Sequence, residues 1–499
     1  MDSLGGTREQ EDIGMDADTI LAIRPALTEY LRGFDACMGR APNREHLDTY
    51  VSGQLSNLQR KSVEPIADAA GVPPRTLQEF LSLLKWDDLG VIDQLQRRVA
   101  RRHADPHGIG IVDETSFPKR GAETACVQRQ HCGALGKVDN CVVTVQLGYA
   151  AGDFHTLLDG VPYLPEHTWE DSGRRRKAGI PDEIVYRPKW FIALEMIQHA
   201  QANGVRFEWL TFDEGYGGKP PLLRELETMG QNYVAEIPCD TVGWTHPPEV
   251  HYQDHTRDKR QGRSSRRPKL KVRNTPAVEV RNLLTWSPVL RKVAWERFWV
   301  KDGEKGPMIW EARRIELWIK DERGLPVGPY HLVIARPLKK PKEVKYFLSN
   351  APMSTSLEVL LIVAFSRWRI ERMFEDSKSE LGMKHFEVRK YLSIQRHLVL
   401  TCVSHLFLAE FHQQQVGKKS GAHALPDPHG DLRLGADLVS RWPVLAEAGR
   451  IDRRAIGENA EAQSELPPEP LEDRIGEITR EWHHPGEPAL LSLAPSIAL

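Results

Sequence analysis

Three charged residues stand at helical spacing in the segment SRWRIERMFEDSK, residues 366–378. Arg367 and Glu371 are four residues apart and Lys378 follows seven residues later, so a helix places a guanidinium, a carboxylate and an ammonium along one stripe. Apolar residues fill the remaining period and no Gly or Pro interrupts it, which predicts an amphipathic helix continuing from LEVLLIVAF before it. A carboxylate between two cations suits a site for metal and phosphate. Ordinary ion pairs on a solvated helix face explain the same spacing.

Two aspartates end segments that have the pattern of strands. Asp113 closes the alternating run GIGIVD, after which the chain turns to Thr, Ser, Pro and Gly, and Asp213 holds the same place in FEWLTFDEGYGG. We therefore expect each carboxylate at the C-terminal tip of a strand, where open α/β sheets tend to bind ligands. Together with Glu371 they predict a cage of three carboxylates.

Other acidic residues compete for places in this cage. Glu375 lies one helical turn after Glu371 and is the rival for the third carboxylate. Glu114 and Glu214 each follow one of the two aspartates, and they should point elsewhere if the chain is still extended there.

At these positions the sequence resembles the DDE transposases of bacterial insertion sequences, in the subgroup whose signature is Tyr, two residues, Arg, three residues, Glu, six residues, Lys. Arg367, Glu371 and Lys378 match the last three positions in register. Ala364 stands where the family has Tyr, with Phe365 one place later. The resemblance runs from about residue 107 to about residue 408 and includes the phrases DETSFPKRG, QHCGALGKVDNC, FDEGYGGKPPLLRELE and KSELGMKHFEVRKY.

The resemblance implies an α/β fold, with a ribonuclease-H-like catalytic core, a β-rich insertion and a helical N-terminal domain. It also implies excision and integration of an insertion sequence by two-metal cleavage of DNA 3′ ends and strand transfer. Hard oxygen ligands suit two Mg²⁺ ions, with Mn²⁺ as a substitute. Asp113 would bridge the ions, while Asp213 and Glu371 would bind one each. Arg367 and Lys378 would contact phosphate near the cut.

Two further function classes stay open at this point. A metal-dependent nuclease of the same fold would hydrolyse DNA without joining a 3′ end to a target. A non-catalytic DNA-binding relic is the other alternative, and the intact set of Asp113, Asp213 and Glu371 argues against it. The expected partner in the favoured case is double-stranded DNA, both element ends and target, bound by a homodimer.

Composition is that of an ordinary soluble protein. The chain has 499 residues, 40% hydrophobic and 27% charged, which allows two or three domains. A net charge of −2 gives no global basic signature, so contacts to nucleic acid must come from local patches. The six Cys form no CxxC pair, which suits a reducing cytosol. We recognise no signal peptide or apolar run of membrane-spanning length, so we expect a cytoplasmic protein without membrane contact.

The N-terminal region divides into a loose acidic tail, residues 1–19, and a helical domain, residues 20–102. Within the latter, VEPIADAAGVPPRTLQEFLSLLKW predicts two helices joined by a turn at residues 71–74. This is the pattern of a DNA-binding helix-turn-helix, whose second helix would present Arg75, Thr76 and Gln78 to a major groove. A simple αα-hairpin explains the pattern almost as well.

The predicted catalytic domain covers residues 103–416. Its first half reads strand, strand, strand, helix, strand, helix, strand, an order that a ribonuclease-H-like fold requires. The basic run RRRK, residues 174–177, is read as a solvated loop, with phosphate contact as the alternative. The region 417–499 is predicted to be partly disordered.

Residues 239–346 form the predicted β-rich insertion, which carries a basic arm. The arm combines nine cations with one acid and interleaves them with Gly, Ser and Pro, so it can follow a phosphate backbone. Its cations are Arg257, Lys259, Arg260, Arg263, Arg266, Arg267, Lys269, Lys271 and Arg273. The tryptophans of the insertion are core residues by default, although one of them could stack on an unpaired base. They are Trp286, Trp295, Trp299, Trp310 and Trp318.

Overall fold

The computed structural model describes residues 17–252, 268–303 and 306–419. Its N-terminal part is helical, as the sequence predicts. Six helices precede the first strand: α1 (Ala17–Arg32), α2 (Asp35–Met38), α3 (Ala41–Leu55), α4 (Val63–Ala70), α5 (Pro74–Ser82) and α6 (Asp88–Arg102). Most of the predicted tail, residues 1–16, lies outside the described residues.

Helices α4 and α5 form the predicted pair joined by a tight turn. Gly71 ends α4 in the left-handed conformation, with φ of +67°, which glycine adopts without a steric penalty. Pro74 opens α5, where its missing N–H removes no helical hydrogen bond. Leu77 and Phe80 bury one side of α5, and Arg75 at its start stays exposed.

Fourteen strands are described, and twelve of them belong to one sheet. The strands are β1 (Ile109–Pro118), β2 (Gln128–Cys132), β3 (Lys137–Ala151), β4 (Phe154–Pro162), β5 (Trp209–Phe212), β6 (Asn232–Glu236), β7 (Val242–Trp244), β8 (Val250–Tyr252), β9 (Pro268–Leu270), β10 (Val278–Glu279), β11 (Glu296–Gly303), β12 (Gly306–Lys320), β13 (Pro326–Pro337) and β14 (Lys345–Ser349). The order in the sheet is β10-β7-β12-β13-β14-β6-β5-β1-β3-β2, with β4 on β3 and β11 on β12, while β8 and β9 pair separately.

Nine helices accompany the strands in the described part of the chain. They are α7 (Ser172–Lys177), α8 (Lys189–Ala202), α9 (Glu214–Gly217), α10 (Pro220–Thr228), α11 (Val280–Trp286), α12 (Pro288–Lys292), α13 (Leu357–Phe365), α14 (Trp368–Ser379) and α15 (Tyr391–Lys419). The run RRRK therefore belongs to α7, and its prediction as a loop was wrong.

The centre of the sheet is mixed. β3 pairs antiparallel with both β1 and β4, whereas β1, β5 and β6 are mutually parallel neighbours. The strands and helices predicted over residues 107–238 are all present in the predicted order, and the structure adds β2, α7 and α9 to them. The fold is α/β with one large mixed sheet.

Most described strands of the predicted insertion continue this same sheet, whereas β8 and β9 pair only with each other. β14 lies between β13 and β6, and Leu348 of β14 is paired with Ala235 of β6. Because β6 would otherwise be an open edge with unpaired backbone groups, the insertion covers it. The region is β-rich as predicted, and it also contains α11 and α12.

The helix predicted to run unbroken into residue 378 is interrupted. α13 ends at Phe365 and α14 begins at Trp368. Between them, the buried Ser366 hydroxyl donates a 2.7 Å hydrogen bond to the Val363 carbonyl. Such side-chain bonds compete with helical backbone bonds, so the local turn has a cause that hydrophobic periodicity does not show.

Helix α15 is the longest described helix and crosses the interior. Its segment Tyr391–Gln414 is long and apolar enough to span a membrane, so the prediction that no such run exists was wrong by length and composition. Inside the fold, 89% of its most apolar window is buried, as in a core helix.

Arg396 of α15 contacts the end of α5, the second helix of the pair formed by α4 and α5. Its guanidinium donates hydrogen bonds to the carbonyls of Phe80 (3.2 Å), Leu84 (2.8 Å) and Trp86 (3.0 Å). It also lies over the Trp86 ring, 4.4 Å from the centroid, and its Nε is 3.6 Å from Asp88. The last carbonyls of a helix lack partners within the helix, so one buried cation satisfies the end of α5 and the loop after it.

Replacing Arg396 with Met should therefore destabilise the protein. Buried carbonyls would lose their donor and Asp88 its cation, and we expect the free energy of unfolding to fall by about 3–5 kcal/mol. Urea denaturation followed by circular dichroism measures this change. Arg44→Met is the control, since Arg44 is exposed and 3.9 Å from Asp35, and it should change stability by less than about 0.5 kcal/mol. Equal midpoints for the two variants would contradict the assignment.

Candidate active site

Asp113 and Asp213 lie side by side on neighbouring parallel strands. The register pairs Val112 of β1 with Phe212 of β5, so the two aspartates occupy the next row, on strands about 4.8 Å apart. Asp213 follows the end of β5, as predicted. Asp113 is not a strand tip, because β1 continues along β3 to Pro118 and only its pairing with β5 ends there. The strand-tip prediction for Asp113 was therefore wrong.

Asp213 is oriented by the backbone that follows it. Its carboxylate accepts hydrogen bonds from the N–H groups of Gly215 (3.0 Å) and Tyr216 (3.3 Å) at the start of α9. This side chain consequently has one oxygen engaged by the turn at the sheet edge.

Arg367 brings the carboxylates together. Its Nη1 lies 2.9 Å from Asp113 Oδ2, and its Nη2 lies 3.7 Å from Glu371 Oε1 and 3.8 Å from Glu236 Oε2. The Arg367 and Asp113 side chains are only 20% and 12% exposed, so water screens this contact weakly. The spacing of four residues between Arg367 and Glu371 thus produces the ion pair that the sequence predicts.

Glu236 is a member of this cluster that the sequence analysis missed. It is the last residue of β6, the parallel neighbour of β5, and it also binds Lys345 of β14, with 2.7 Å between Nζ and Oε1. The signal was available, because Glu236 ends a strand pattern in NYVAEIP as Asp213 does in FEWLTFDE.

Burial and neighbouring charges act on the two aspartates. Burial raises the pKa of Asp113 to about 7, Arg367 opposes this increase, and the carboxylates of Asp213 and Glu371 add to it. The pKa of Asp213 is also raised, first by burial, with Arg367 opposing and Glu114 adding to the increase. One guanidinium therefore neutralises the cluster incompletely, and a further cation would favour the ionised form of Asp113.

The geometry separates Glu371 from its rival Glu375. Glu371 is 64% exposed and close enough to Arg367 and Asp113 to act on both. Glu375 instead lies 3.1 Å from Arg372. Glu371 is thus the residue of this helix that faces the aspartates.

The two other acidic candidates have different surroundings. Glu114 lies 2.6 Å from Lys189 of α8. Glu214 is exposed as the first residue of α9. The prediction assumed an extended chain at both positions, which holds for Glu114 within β1 but not for Glu214, where the helix α9 has already begun.

Lys378 lies near the cluster without an ion pair to it among the described residues. Its Nζ is 5.6 Å from the Phe374 ring centroid. Burial and the nearby Lys384 lower the pKa of Lys378, while Asp113 raises it, which places the ammonium within electrostatic reach of both. Ala364, at the position of the family Tyr, is buried at 5% exposure among apolar side chains.

The donor set suits hard divalent cations, although it is not assembled as a finished site. Within the described ranges, no three His, Cys, Asp or Glu residues are close enough to form a metal cluster. Asp113, Asp213 and Glu371 nevertheless offer carboxylate oxygens around a guanidinium, and Asp113 is insufficiently neutralised. Oxygen ligands with excess negative charge are what Mg²⁺ prefers, so the residues fit such an ion once Arg367 shifts.

Half of the predicted DNA-binding residues belong to the described part of the chain. Arg75 and Gln78 are exposed at the start of α5 and Thr76 is half-buried, with Arg75 Nε 2.6 Å from Glu79. Of the basic arm, Lys269, Lys271 and Arg273 are described, in or just after β9. The remaining six cations lie outside the described residues: Arg257, Lys259, Arg260, Arg263, Arg266 and Arg267.

The basic run at residues 174–177 contacts other parts of the protein. Arg174 of α7 donates hydrogen bonds to the carbonyls of Thr168 and Ala122 and covers the Trp169 ring, so it is engaged within the protein.

Among the tryptophans of the insertion, Trp310 is 9% exposed and packs in the core, as predicted by default, whereas Trp286 is 70% exposed.

Comparison with known proteins identifies a family and a curated relative. A family model described as DDE superfamily endonuclease matches residues 33–307, which include Asp113 and Asp213 but end before Arg367. The chain is 32% identical over 189 residues to the probable transposase for insertion sequence element IS701 of Microchaete diplosiphon, a match that covers 37% of this chain and 46% of that protein. The chain thus spans less than half the length of this curated relative.

Among solved structures, the chain is similar to a piggyBac transposase synaptic complex with hairpin DNA. The likeness covers 93% of this chain and 90% of that chain, with 10% identity and a TM-score of 0.38.

The raised pKa of Asp113 predicts a pH-dependent stability. The Asp113 carboxyl has a pKa of about 7 in the folded state, whereas an unfolded aspartate has a pKa of about 3.9. Between these pH values the folded state binds more protons than the unfolded state, so the free energy of unfolding falls as the pH rises. Asp113→Asn keeps the position neutral. In EDTA at pH 8 it should raise the free energy of unfolding by about 2–4 kcal/mol, and this gain should vanish near pH 4.

Urea denaturation at the two pH values measures this difference. Asp182→Asn, at an exposed position in the loop before α8, controls for the substitution itself. A gain from Asp113→Asn that is the same at both pH values would refute the electrostatic interpretation.

Proposed function

Because this chain belongs to the DDE superfamily endonucleases, we propose that it is a transposase that excises and integrates an insertion sequence. It would cut DNA 3′ ends and join them to a target. The observation that carries the proposal is the gathering of Asp113, Asp213 and Glu371 around Arg367, from two parallel strands and a distant helix. Similarity to the probable transposase of IS701 supports it.

We further propose that the core is ribonuclease-H-like. In its support, β4, β3, β1, β5 and β6 are consecutive in the sheet, the first three antiparallel and the last three parallel. On this proposal residues 103–416 form the catalytic domain, with 239–346 as its insertion and 20–102 as a DNA-binding domain. Its place of action is the cytoplasm.

The proposed chemistry assigns a role to each residue of the cluster. Two divalent cations, Mg²⁺ or Mn²⁺, would when bound activate the attacking oxygen and stabilise the leaving one. Asp113 would hold both ions, and Asp213 and Glu371 one each. Arg367, released from Asp113, has a planar fork that suits a phosphodiester, and Lys378 supplies a compact charge beside it.

DNA would be held by surfaces outside the cluster. Arg75, Thr76 and Gln78 stand at the exposed start of α5, where a recognition helix meets base edges. The nine cations of the arm would contact phosphates without reading sequence. Two copies of the chain would act together, one on each end of the element.

Metal binding can be tested without activity. Mg²⁺ added at pH 8 should raise the melting temperature of the wild type, because a ligand that binds only the folded state stabilises it. Asp113→Asn and Asp213→Asn should each lose most of that increase. Asp182→Asn should keep it. An Mg²⁺ effect that is equal in all four proteins would place the ion elsewhere.

The transposase proposal is tested by strand transfer. Purified protein, Mg²⁺, a labelled duplex with the DNA ends flanking the gene, and a supercoiled plasmid are combined. We expect label in the plasmid with wild type, and a loss of at least about 10³-fold in Asp213→Asn and Glu371→Gln, since each removes a ligand to an ion that acts in the transition state. Glu375→Gln should retain activity.

The outcomes separate the candidate functions. Cutting without joining would make the protein a nuclease. DNA binding with neither reaction would identify a non-catalytic binder. A loss in Glu375→Gln but not in Glu371→Gln would transfer the third carboxylate to Glu375.

A further inference from the structure

A groove of about 760 Å³ opens where three distant segments of the chain meet. These segments are residues 59–60 after α3, residues 118–124 at the end of β1, and residues 384–389 between α14 and α15. The groove contains five cations and one acid among its lining residues, which are Arg60, Lys119, Arg120, Lys384, Arg389 and Glu387. None of these residues belongs to the DNA-binding surfaces predicted from the sequence.

Hydrogen bonds between the three segments hold the groove in shape. The N–H of Lys61 donates to His385 Nδ1 (3.1 Å), and the Lys119 ammonium donates to the Phe386 carbonyl (2.7 Å). The N–H of Ala125 donates to the Arg389 carbonyl (2.8 Å). The positive charges therefore stand on fixed backbone, so binding an anion there requires little ordering.

Positive charge in the groove exceeds what the protein neutralises. Arg60 pairs with Glu387. Arg120, Lys384 and Arg389 are exposed, and in the described part of the chain none of them has an acidic group within ion-pair distance. The same positive charges act on His385. Burial lowers the pKa of its imidazole, and Lys384, Lys61 and Arg60 lower it further.

Strand β1 connects the groove to the candidate active site. Strand β1 carries Asp113 and ends in the groove at Pro118, with Lys119 six residues beyond Asp113, so the two lie about 20 Å apart along the strand. Lys378 is within electrostatic reach of both Asp113 and the groove residue Lys384. About six successive phosphates of one DNA strand cover the same distance along the helix axis.

We propose that this groove binds the phosphate backbone of duplex DNA on its way to or from the carboxylate cluster. The inference rests on the proposed function and extends it, because it adds a surface shared by the N-terminal helices and the sheet. An open row of cations leading to an acidic centre matches a polyanion whose one reacting phosphate must reach that centre. DNA held there crosses from the helical region to β1.

The test compares salt dependence of binding in two triple variants. Arg120→Gln, Lys384→Gln and Arg389→Gln are combined, and a control combines Arg323→Gln, Lys342→Gln and Arg32→Gln, all exposed and outside the groove. Binding to a 30-base-pair duplex of arbitrary sequence is measured by fluorescence anisotropy at several salt concentrations. Since each phosphate contact contributes about 0.9 to the slope of log K against log salt, we expect the groove variant to lose about 2–3 from the slope. The control should keep it.

The outcomes distinguish this proposal from the proposed function. An unchanged slope in the groove variant overturns the groove even if the wild type still cuts and joins DNA. A reduced slope supports the groove even if the wild type does neither, and the transposase proposal then fails alone. Binding to polyglutamate, which stands for an acidic protein, is measured in the same way. If the groove variant binds DNA like the wild type but no longer binds polyglutamate, the groove is assigned to an acidic protein and the proposal is overturned. Circular dichroism and the melting temperature verify that both variants are folded.

Discussion

The ion pair between Arg367 and Asp113 is the interaction on which the geometry of the site depends. It connects residues 254 positions apart, one on a central strand and one at the start of α14, across 2.9 Å in a poorly hydrated place. Removing the guanidinium from such a buried pair costs about 3–5 kcal/mol, because the Asp113 carboxylate would be left among other acids without its cation. The same guanidinium reaches Glu236 and Glu371, so the position of α14 relative to the sheet is set by charge as well as by apolar packing. The site is thus part of what joins this helix to the core.

Helix α15 extends that arrangement to the N-terminal helices. Arg396 satisfies the end of α5, the Tyr50 hydroxyl is 2.9 Å from Nδ1 of His397, and the Tyr30 hydroxyl donates to the Val403 carbonyl at 2.8 Å. Buried polar contacts of this kind have strict geometry, and each fixes the register between two elements. They hold the segment that carries Arg60 in a defined place relative to β1. A groove formed by both regions can therefore keep its shape without its ligand.

Local patterns in the sequence predicted what depends on neighbouring residues. The spacing of Arg367 and Glu371 produced a real contact, and the strand pattern before Asp213 ended where the strand does. Some errors were local, such as the helix break at Ser366 and the helical run at residues 174–177. The errors at the site concern pairing between distant segments. Asp113 lies within β1 because β3 continues to pair with it, and β14 makes the insertion part of the central sheet. Glu236 was missed although its local pattern equals that of Asp213, since only the order of strands shows that β6 lies beside β5.

Charge also gives the carboxylate cluster and the basic groove different roles. Asp113, Asp213, Glu236 and Glu371 surround Arg367, and Lys345 binds Glu236, so four acids meet two cations at the cluster. Such a centre repels a phosphodiester, and attraction for DNA must therefore come from other parts of the molecule. In physiological salt, screening limits the range of fixed charges to about 8–10 Å. Cations that bind the DNA backbone must therefore lie along its path over the protein surface towards the cluster. Arg120, Lys384 and Arg389 supply positive charge in the groove at the end of β1, and Lys378 is within electrostatic reach of both Lys384 and Asp113. Binding of the polymer and reaction at one of its phosphates are thereby assigned to adjacent surfaces of opposite sign.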